Sequence, residues 1–176
     1  MIYFPREDSY LLAKQVKKYA KNKSVLDIGT GSGILASAAL QSGASAVLAS
    51  DINKEAVDEV KKQGIQSVQS NLFSKIKGRF DIIVFNPPYL PKDKREDKES
   101  ARATTGGKKG DEIILRFLKQ SKKHLNRKGF ILLLTSSLTP KKRIESLIKT
   151  LSFSHKALAS ESLLFEKLHV WKIVQR

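Results

Sequence analysis

The sequence predicts an α/β fold, with a doubly wound and mostly parallel sheet of seven strands and an antiparallel hairpin at one edge. Two observations support this prediction. Short apolar runs with the length of buried strands alternate with amphipathic segments of helical period. The last two strand-like stretches follow each other without a helix between them, which predicts the hairpin. A length of 176 residues suits one domain, and we expect a single domain over 1–176.

The first half of the chain contains three predicted helices and four predicted strands. Asp8 or Ser9 is a suitable cap for the first helix, and Asn53 for the third. Glycines at 43 and 64 are expected to end the second and third helices. In chain order we predict a helix at 10–20, a strand at 24–28, a helix at 34–40, a strand at 46–49, a helix at 54–63, and strands at 66–69 and 80–85.

The second half continues this alternation after one interruption. Residues 90–110 are polar and lack apolar periodicity. A structureless stretch of this length inside a compact domain is commonly functional, so we predict a loop that gates the substrate. Beyond it we predict a helix at 111–125, a strand at 130–134, a helix at 141–151, and strands at 154–158 and 169–174.

Composition excludes several classes of protein. The chain has no cysteine, which excludes disulfides and cysteine-ligated metals. Its three histidines are far apart in sequence, so no metal site is predicted. No apolar run reaches the length of a membrane span, and the first residues lack the pattern of a secretion signal. We therefore expect a cytoplasmic protein that is not associated with a membrane.

The net charge of +16, with a pI near 10.0, has two interpretations. It favours contact with a polyanion, such as transient contact with RNA or the ribosome. Alternatively, the lysines form solvated faces on helices, because many of them occur in helix-like segments. The charge alone does not decide between these two interpretations.

Polar residues follow three successive predicted strands and indicate a nucleoside site. Residues 27–33 form a Gly-x-Gly-x-Gly turn, which differs from the dinucleotide fingerprint and lacks the lysine of a phosphate-binding loop. Asp51 follows the second strand, where a carboxylate can accept both hydroxyls of a ribose. Asn71 and Leu72 follow the third strand, where an amide and an apolar side chain suit an adenine.

Asn86-Pro87-Pro88-Tyr89 follows the fourth strand and predicts the acceptor site. The prolines stiffen the backbone and remove two N–H donors, so the segment is rich in acceptor oxygens. The Asn86 side-chain oxygen and the Pro87 carbonyl can each hold one hydrogen of a planar –NH2 group, while Tyr89 covers the group by stacking. Such a site suits methyl transfer from a sulfonium donor. The alternative is a turn that simply ends the strand.

These motifs resemble those of class I S-adenosylmethionine-dependent methyltransferases, and more narrowly the HemK-type protein-glutamine N5-methyltransferases. The chain is most similar to their short archaeal and eukaryotic-type branch. Residues 3–12 resemble the opening motif of that branch, and 106–112 resemble the glycine-rich segment after its substrate loop. The branch usually has an aspartate at the position of Asn71, and an aromatic residue before the paired glycines, where this chain has Ala103-Thr104-Thr105.

The resemblance implies a Rossmann-like class I methyltransferase fold and S-adenosyl-L-methionine as cofactor. It implies cofactor contacts from residues at the opening motif and at four strand ends: Ser9, Asp27, Gly29, Thr30, Gly31, Asp51, Ile52, Asn71, Leu72 and Asn86. Asn86, Pro87 and Tyr89 are implied to be catalytic, and the substrate is implied to contact Asn86, Pro87, Pro88 and Tyr89. No metal site is implied in this chain.

The resemblance also implies a substrate and a partner. The family methylates the glutamine of the Gly-Gly-Gln motif in class 1 peptide release factors. Members of this branch commonly work with a small zinc-binding activator subunit that covers an apolar sheet edge. Because this chain has no cysteine, we expect any such zinc to belong to the partner.

Two other functions remain open at the level of sequence. The same tetrapeptide serves nucleic-acid methyltransferases that modify adenine or guanine, and the positive charge favours that alternative. The opening motif and the short chain favour the glutamine branch instead. A non-catalytic subunit that binds a nucleoside is a third interpretation, and the intact Asn86 argues against it.

Overall fold

The computed structural model describes residues 4–91 and 104–176. Within these ranges it contains five α-helices and nine strands. The helices are α1 Glu7–Tyr19, α2 Ile34–Gln41, α3 Lys54–Lys62, α4 Glu112–Ser121 and α5 Lys141–Thr150. The strands are β1 Ser24–Ile28, β2 Ala46–Asp51, β3 Ser67–Gln69, β4 Phe80–Phe85, β5 Leu90–Pro91, β6 Thr105–Gly107, β7 Leu125–Ser136, β8 Phe153–Ser162 and β9 Lys167–Gln175.

Seven strands form one sheet in the order β3-β2-β1-β4-β7-β9-β8. Parallel pairing joins the five neighbouring strands β3, β2, β1, β4 and β7, and β9 pairs antiparallel with both β7 and β8. The predicted doubly wound sheet with an antiparallel hairpin at one edge is therefore confirmed. Strand order reverses between β1 and β4, which stay paired up to Ile28 and Phe85, and the connections that follow them run apart to leave a crevice for a ligand.

Apolar side chains fill both faces of the sheet, because strands covered on both sides bury successive residues in opposite directions. In β7, Leu132 and Leu134 belong to the core beneath α1 and α2, whereas Ile131 and Leu133 belong to the core beneath α4 and α5. Phe117 is fully buried in the second core and packs against Phe85 at a ring-centroid distance of 4.6 Å. This packing fixes the end of β4, and residues 86–89 follow directly from it.

The ends of several elements differ from the predictions. The cap of α1 is Arg6, so Asp8 and Ser9 lie inside the first turn and are buried. The prediction that one of them caps the helix is therefore wrong. The helix predicted to reach residue 125 ends at Ser121 and continues as a short 3-10 turn, and β7, β8 and β9 extend beyond their predicted limits. The cap at Asn53 is confirmed, since its side chain accepts from the Glu55 N–H at 3.0 Å.

The predicted loop at 90–110 is only partly irregular. Its two ends pair as the parallel strands β5 and β6, with Leu90 opposite Thr105 and Pro91 opposite Gly107. The expectation of a structureless stretch is thus wrong at both ends, because backbone pairing does not require apolar periodicity. The middle of the loop, 92–103, lies outside the described residues. None of the helices described is long and apolar enough to cross a membrane.

Candidate active site

A cavity of about 860 Å³ opens at the carboxyl ends of the parallel strands. It is bounded by the turns after β1, β2, β3 and β4, by the start of α1 and by the hairpin between β8 and β9. Nearly every residue that the sequence analysis assigned to a site lines this cavity, and Asp27 is buried directly beneath it. The cavity lining includes Ser9, Gly29, Thr30, Gly31, Asp51, Ile52, Asn71, Leu72, Asn86, Pro87, Pro88 and Tyr89.

The glycine turn is held against the end of β2. Gly29 and Gly31 both have positive φ values, at 67° and 54°, which a residue without Cβ adopts at no steric cost. The Thr30 N–H donates to the Ser50 carbonyl at 2.9 Å, and the Gly31 N–H donates to Asp51 Oδ2 at 2.9 Å. The turn therefore presents its backbone along one wall of the cavity.

Asp27 is fully buried beneath this turn. Its Oδ2 accepts from Thr30 Oγ1 at 2.7 Å and from the Ala36 N–H at 3.2 Å, whereas its buried Oδ1 has no hydrogen-bond partner within 4–91 and 104–176. Burial raises the pKa of the Asp27 carboxyl to about 7. An unpaired carboxylate oxygen at this depth is costly, and a bound cation or N–H donor would satisfy it.

Asp51 connects the turns after β1 and β2. In addition to the bond from Gly31, its Oδ1 accepts from the Asn53 N–H at 2.8 Å. Each carboxylate oxygen keeps a further lone pair, so this half-buried group can still accept hydroxyl donors from the cavity.

The next part of the cavity wall is apolar and strained. Ile52 remains 63% exposed although it is a large apolar residue, and its exposed surface faces the cavity. Leu72 is buried with a positive φ of 51°, a conformation that costs a non-glycine residue free energy and often marks a functional site. The Ser70 hydroxyl donates to the Leu72 carbonyl at 2.8 Å and holds this turn. Ile52 and Leu72 offer apolar surface for a flat ring.

Asn71 has a partner that sequence reasoning missed. Arg116, on the exposed side of α4, donates through Nη2 to Asn71 Oδ1 at 3.3 Å, and both residues line the cavity. The amide keeps its N–H groups and one lone pair for a ligand. Arg116 has no signal in the sequence, because it is a single charged residue on the polar face of an amphipathic helix.

The acceptor segment, residues 86–89, begins where β4 ends. Asn86 donates through Nδ2 to Ser9 Oγ at 3.3 Å, and Ser9 Oγ donates in turn to Asp8 Oδ1 at 3.1 Å. This orientation of the amide leaves Asn86 Oδ1 buried and without a hydrogen-bond partner among the residues that the structure describes. Ser9, assigned to the cofactor by resemblance, therefore also contacts the predicted catalytic asparagine.

Tyr89 is the last residue of the acceptor segment, and its ring is half-buried. Burial raises the pKa of its phenol well above the ordinary value, and the nearby charges of Asp8 and Glu166 raise it further, while Arg6 opposes them. The phenol therefore stays protonated at neutral pH and does not serve as a base. Thr139 Oγ1 donates to the Tyr89 carbonyl at 3.2 Å, which fixes the backbone.

The glycine-rich segment from Gly106 to Gly110 packs directly on the acceptor segment. A Cβ atom on Gly106 would lie 2.6 Å from the Pro88 carbonyl oxygen, and one on Gly110 would lie 2.5 Å from the Tyr89 carbonyl oxygen. Both distances between the added Cβ and the carbonyl oxygen are too short for any side chain at these positions. These glycines thus allow the far end of the substrate loop to pack against the acceptor segment.

A group of basic residues lies at the opposite end of the sheet from the cavity. Eight basic residues lie in the segments that precede β1, β4 and the main pairing of β7, and we call this surface the basic end: Lys21, Lys23, Lys77, Arg79, Lys122, Lys123, Arg127 and Lys128. Within the part of the chain that the structure describes, none of the eight forms an ion pair. Hydrogen bonds from Arg79 to the Leu125 carbonyl and between His124 and the Gly78 carbonyl join its loops.

Comparison with known proteins places this geometry in a family. A family model described as methyltransferase small domain matches residues 7–162. The chain belongs to this methyltransferase family. The sheet and the strand-end cavity of the methyltransferase are accordingly those of the class I fold, as the resemblance implied.

Three relatives resemble the methyltransferase over most of its length. A Methanocaldococcus jannaschii protein with the provisional name of protein N5-glutamine methyltransferase is 38% identical over 98% of this chain and 92% of its own. A release factor glutamine methyltransferase of Borreliella burgdorferi is 32% identical over 88% of this chain, which spans only 59% of that longer relative. The E. cuniculi Mtq2–Trm112 structure, described as responsible for methylation of the eRF1 termination factor, superposes with a TM-score of 0.82, 26% identity and 99% coverage of both chains.

Proposed function

We propose that this protein transfers a methyl group from S-adenosyl-L-methionine to the side-chain amide nitrogen of the glutamine in the Gly-Gly-Gln motif of a peptide release factor. The observation that carries the proposal is that Asn86 and Pro87 both line the cavity, and that Asn86 Oδ1 has no hydrogen-bond partner among the described residues. The names of the relatives support glutamine as the acceptor. We further propose that residues 1–176 form one catalytic domain that acts in the cytoplasm.

The residues around the glycine turn fit the cofactor. The unpaired Asp27 Oδ1 suits the ammonium of its methionine part, and Asp51 suits its ribose hydroxyls. Its adenine would lie between Ile52 and Leu72, with Asn71 at the ring edge. When bound, the cofactor supplies an electrophilic methyl group on a sulfonium.

The acceptor segment would then activate a poor nucleophile. The lone pair of an amide nitrogen is delocalised, so it must be turned toward the methyl group. Asn86 Oδ1 and the Pro87 carbonyl each accept one N–H of the substrate, which fixes that orientation. As the nitrogen gains positive charge both hydrogen bonds strengthen, and this stabilises the transition state. Tyr89, neutral at physiological pH, covers the planar amide, and a proton leaves to water after transfer.

The charges around the acceptor segment favour a protein substrate over a nucleobase. Among the described residues, the negative charges of Asp8, Glu166 and Glu7 raise the pKa of Tyr89, and Arg6 lowers it. A phosphate backbone that approached Tyr89 would be repelled by these three carboxylates. The basic end lies across the sheet from the cavity and does not serve the acceptor site.

We propose two macromolecular contacts besides the substrate. The similarity to the Mtq2 chain of a two-protein complex supports a small activator subunit, and we propose the short edge strand β3 as its contact. Among the described residues, no large exposed apolar side chain lies on β3, so pairing of strand backbones would provide most of that contact. We also propose that the basic end contacts RNA, as it would beside the ribosome.

Purified protein, labelled methyl donor, release factor and structured RNA test the proposed reaction. We expect label on the glutamine of the release factor and none on RNA; label on RNA alone would contradict the proposal. Asn86→Ala should reduce transfer to background while the dissociation constant of the donor changes little, because the amide acts on the acceptor. A matching loss of donor affinity would instead assign Asn86 to the cofactor pocket.

A further inference from the structure

The turn between β8 and β9 exposes two large apolar side chains at the rim of the cavity. Leu164 and Phe165 are 87% and 85% exposed, the highest values among the exposed large apolar residues described. The turn is closed by a bond from the Leu163 N–H to the Glu166 carbonyl at 2.8 Å. Two-residue turns usually contain glycine, asparagine or aspartate, and neither Leu164 nor Phe165 has a positive φ. The turn geometry therefore does not require apolar residues here.

The hairpin holds this tip rigidly. The Ser136 hydroxyl donates to Glu166 Oε2 at 2.5 Å. The Lys167 N–H donates to Ser137 Oγ, and the Ser137 N–H donates to the Lys167 carbonyl, both at 2.9 Å. The base of the tip is thus bonded to the end of β7, so its position relative to the cavity is fixed. A rigid apolar surface binds a partner at a low cost in conformational entropy.

The tip is continuous with the acceptor site. Leu163 and Glu166, the residues on either side of it, line the same cavity as residues 86–89. Leu163 and Tyr89 also pack against the same apolar core. A protein segment that inserts a side chain beside Tyr89 therefore has its flanking residues next to Leu164 and Phe165.

We propose that Leu164 and Phe165 dock against apolar side chains of the substrate protein that lie close to the acceptor glutamine but outside its Gly-Gly-Gln motif. This inference rests on the proposed function, because it assumes that the acceptor belongs to a protein. The acidic rim supports a peptide occupant rather than a nucleobase stacked on Phe165, since a phosphate chain would pass the negative charges of Glu7, Asp8 and Glu166.

The test compares a double variant, Leu164→Ser with Phe165→Ser, with the wild type and with Leu40→Ser. Leu40 is an exposed apolar residue, 42% exposed, on α2 away from the cavity lining, and serves as the matched control. With intact release factor as substrate, we expect kcat/KM of the double variant to fall by roughly 10- to 100-fold, mainly through KM, because apolar anchors account for much of the binding energy at interfaces. The donor dissociation constant and the Leu40→Ser kinetics should match the wild type.

An unchanged KM for the double variant would overturn the inference while leaving the proposed function intact. A wild type that modifies no release factor would contradict the proposed function itself, and with it this inference. A photo-crosslinking residue at position 165 gives a second measurement that does not depend on turnover. We expect adducts within the acceptor domain of the release factor; adducts only between two copies of this chain would assign the tip to self-association and overturn the proposal.

Discussion

The side chain of Asn86 is oriented by a residue that lies 77 positions earlier in the chain. Ser9 accepts from Asn86 Nδ2, and this bond determines that the amide oxygen, rather than its nitrogen, is left for the acceptor. Ser9 is therefore a positioning residue in the proposed mechanism.

Substitution of Ser9 by alanine tests this role. We expect kcat to fall by roughly 5- to 10-fold, because one hydrogen bond contributes about 1 kcal/mol. Ser9→Thr keeps the hydroxyl and should restore most of the rate. Isothermal titration should give an unchanged donor dissociation constant; weaker donor binding with an unchanged kcat would instead support the direct cofactor contact implied by the resemblance.

Sequence reasoning predicted residues that lie around one cavity, but not the bonds between them. Asp27, Asp51 and Asn86 were predictable because each follows a strand, and parallel strands bring their carboxyl ends together. The direction of Ser9 was not predictable from its motif. Ser9 was predicted to lie before the helix as a candidate cap, whereas it lies in the first turn of α1, where the rotation of about 100° per residue sets its direction.

At the scale of elements, the glycine-rich segment and the acceptor segment behave as one unit. Strands β5 and β6 pair, and Gly110 lies against the Tyr89 carbonyl oxygen. The ends of the substrate loop are thereby fixed to the residues that would hold the acceptor amide. Movement of the loop would change the geometry of the acceptor site directly.

Gly110→Ala tests this coupling. Gly110 has a φ of 87°, and an added Cβ would lie 2.5 Å from the Tyr89 carbonyl oxygen, so the acceptor segment must shift. We expect methyl transfer to fall by roughly 100-fold, since small displacements at a reacting centre are costly. Gly64→Ala is the matched control, because Gly64 has a φ of 78° and nothing within 4 Å of the added atom.

Both glycine variants should lose about 1–2 kcal/mol of unfolding free energy from the left-handed backbone. Chemical denaturation measures that common loss, and a methyl-transfer assay then separates the two. Comparable activity in Gly110→Ala and Gly64→Ala would show that the contact with Tyr89 does not position the acceptor.

Elements with strong periodicity were predictable, whereas those formed by backbone pairing were not. We could predict β1 and β4 from their apolar runs, and α4 from its amphipathic face. Burial of these apolar side chains in the core determines where each element lies. Strands β5 and β6 contain proline and glycine and bury little apolar surface, so their pairing has no sequence pattern. Backbone pairing also explains why β8 and β9 are longer than predicted, because their added residues pair at the edge of the sheet.

At the scale of the whole molecule, the topology brings one group of basic residues to the end of the sheet opposite the cavity. Parallel strands and the helices that connect them place the basic last turns of α1 and α3 on the same side as the basic end. Lysines near a helix C-terminus are favoured by the helix dipole, so part of this charge also stabilises the fold. The net charge follows from the composition, whereas the positions of these basic residues follow from the topology of the sheet.

The basic end should bind RNA without affecting catalysis. We expect a triple variant, Lys123→Glu, Arg127→Glu and Lys128→Glu, to bind a labelled RNA duplex at least tenfold more weakly. The dependence of affinity on salt should become shallower by about one unit of slope for each lost phosphate contact. Fluorescence anisotropy at several salt concentrations measures both quantities.

A variant with the same change of charge provides the control for this experiment. Lys14→Glu, Lys142→Glu and Lys156→Glu alter three exposed lysines away from the basic end. Equal loss of RNA affinity in both triple variants would mean that net charge, and not this surface, attracts RNA. Methyl transfer to the release factor should continue in both.

The buried Asp27 carboxyl links the donor to the proton concentration of the solvent. Its pKa is raised from 3.8 to about 7, so between these pH values the native chain retains a proton that the unfolded chain has already released. The contribution of this carboxyl to the free energy of unfolding therefore falls as the pH rises through that interval. A cationic ammonium beside Oδ1 would favour the charged carboxylate. Donor binding near neutral pH would then expel a fraction of a proton, and its measured heat would vary with the ionisation enthalpy of the buffer.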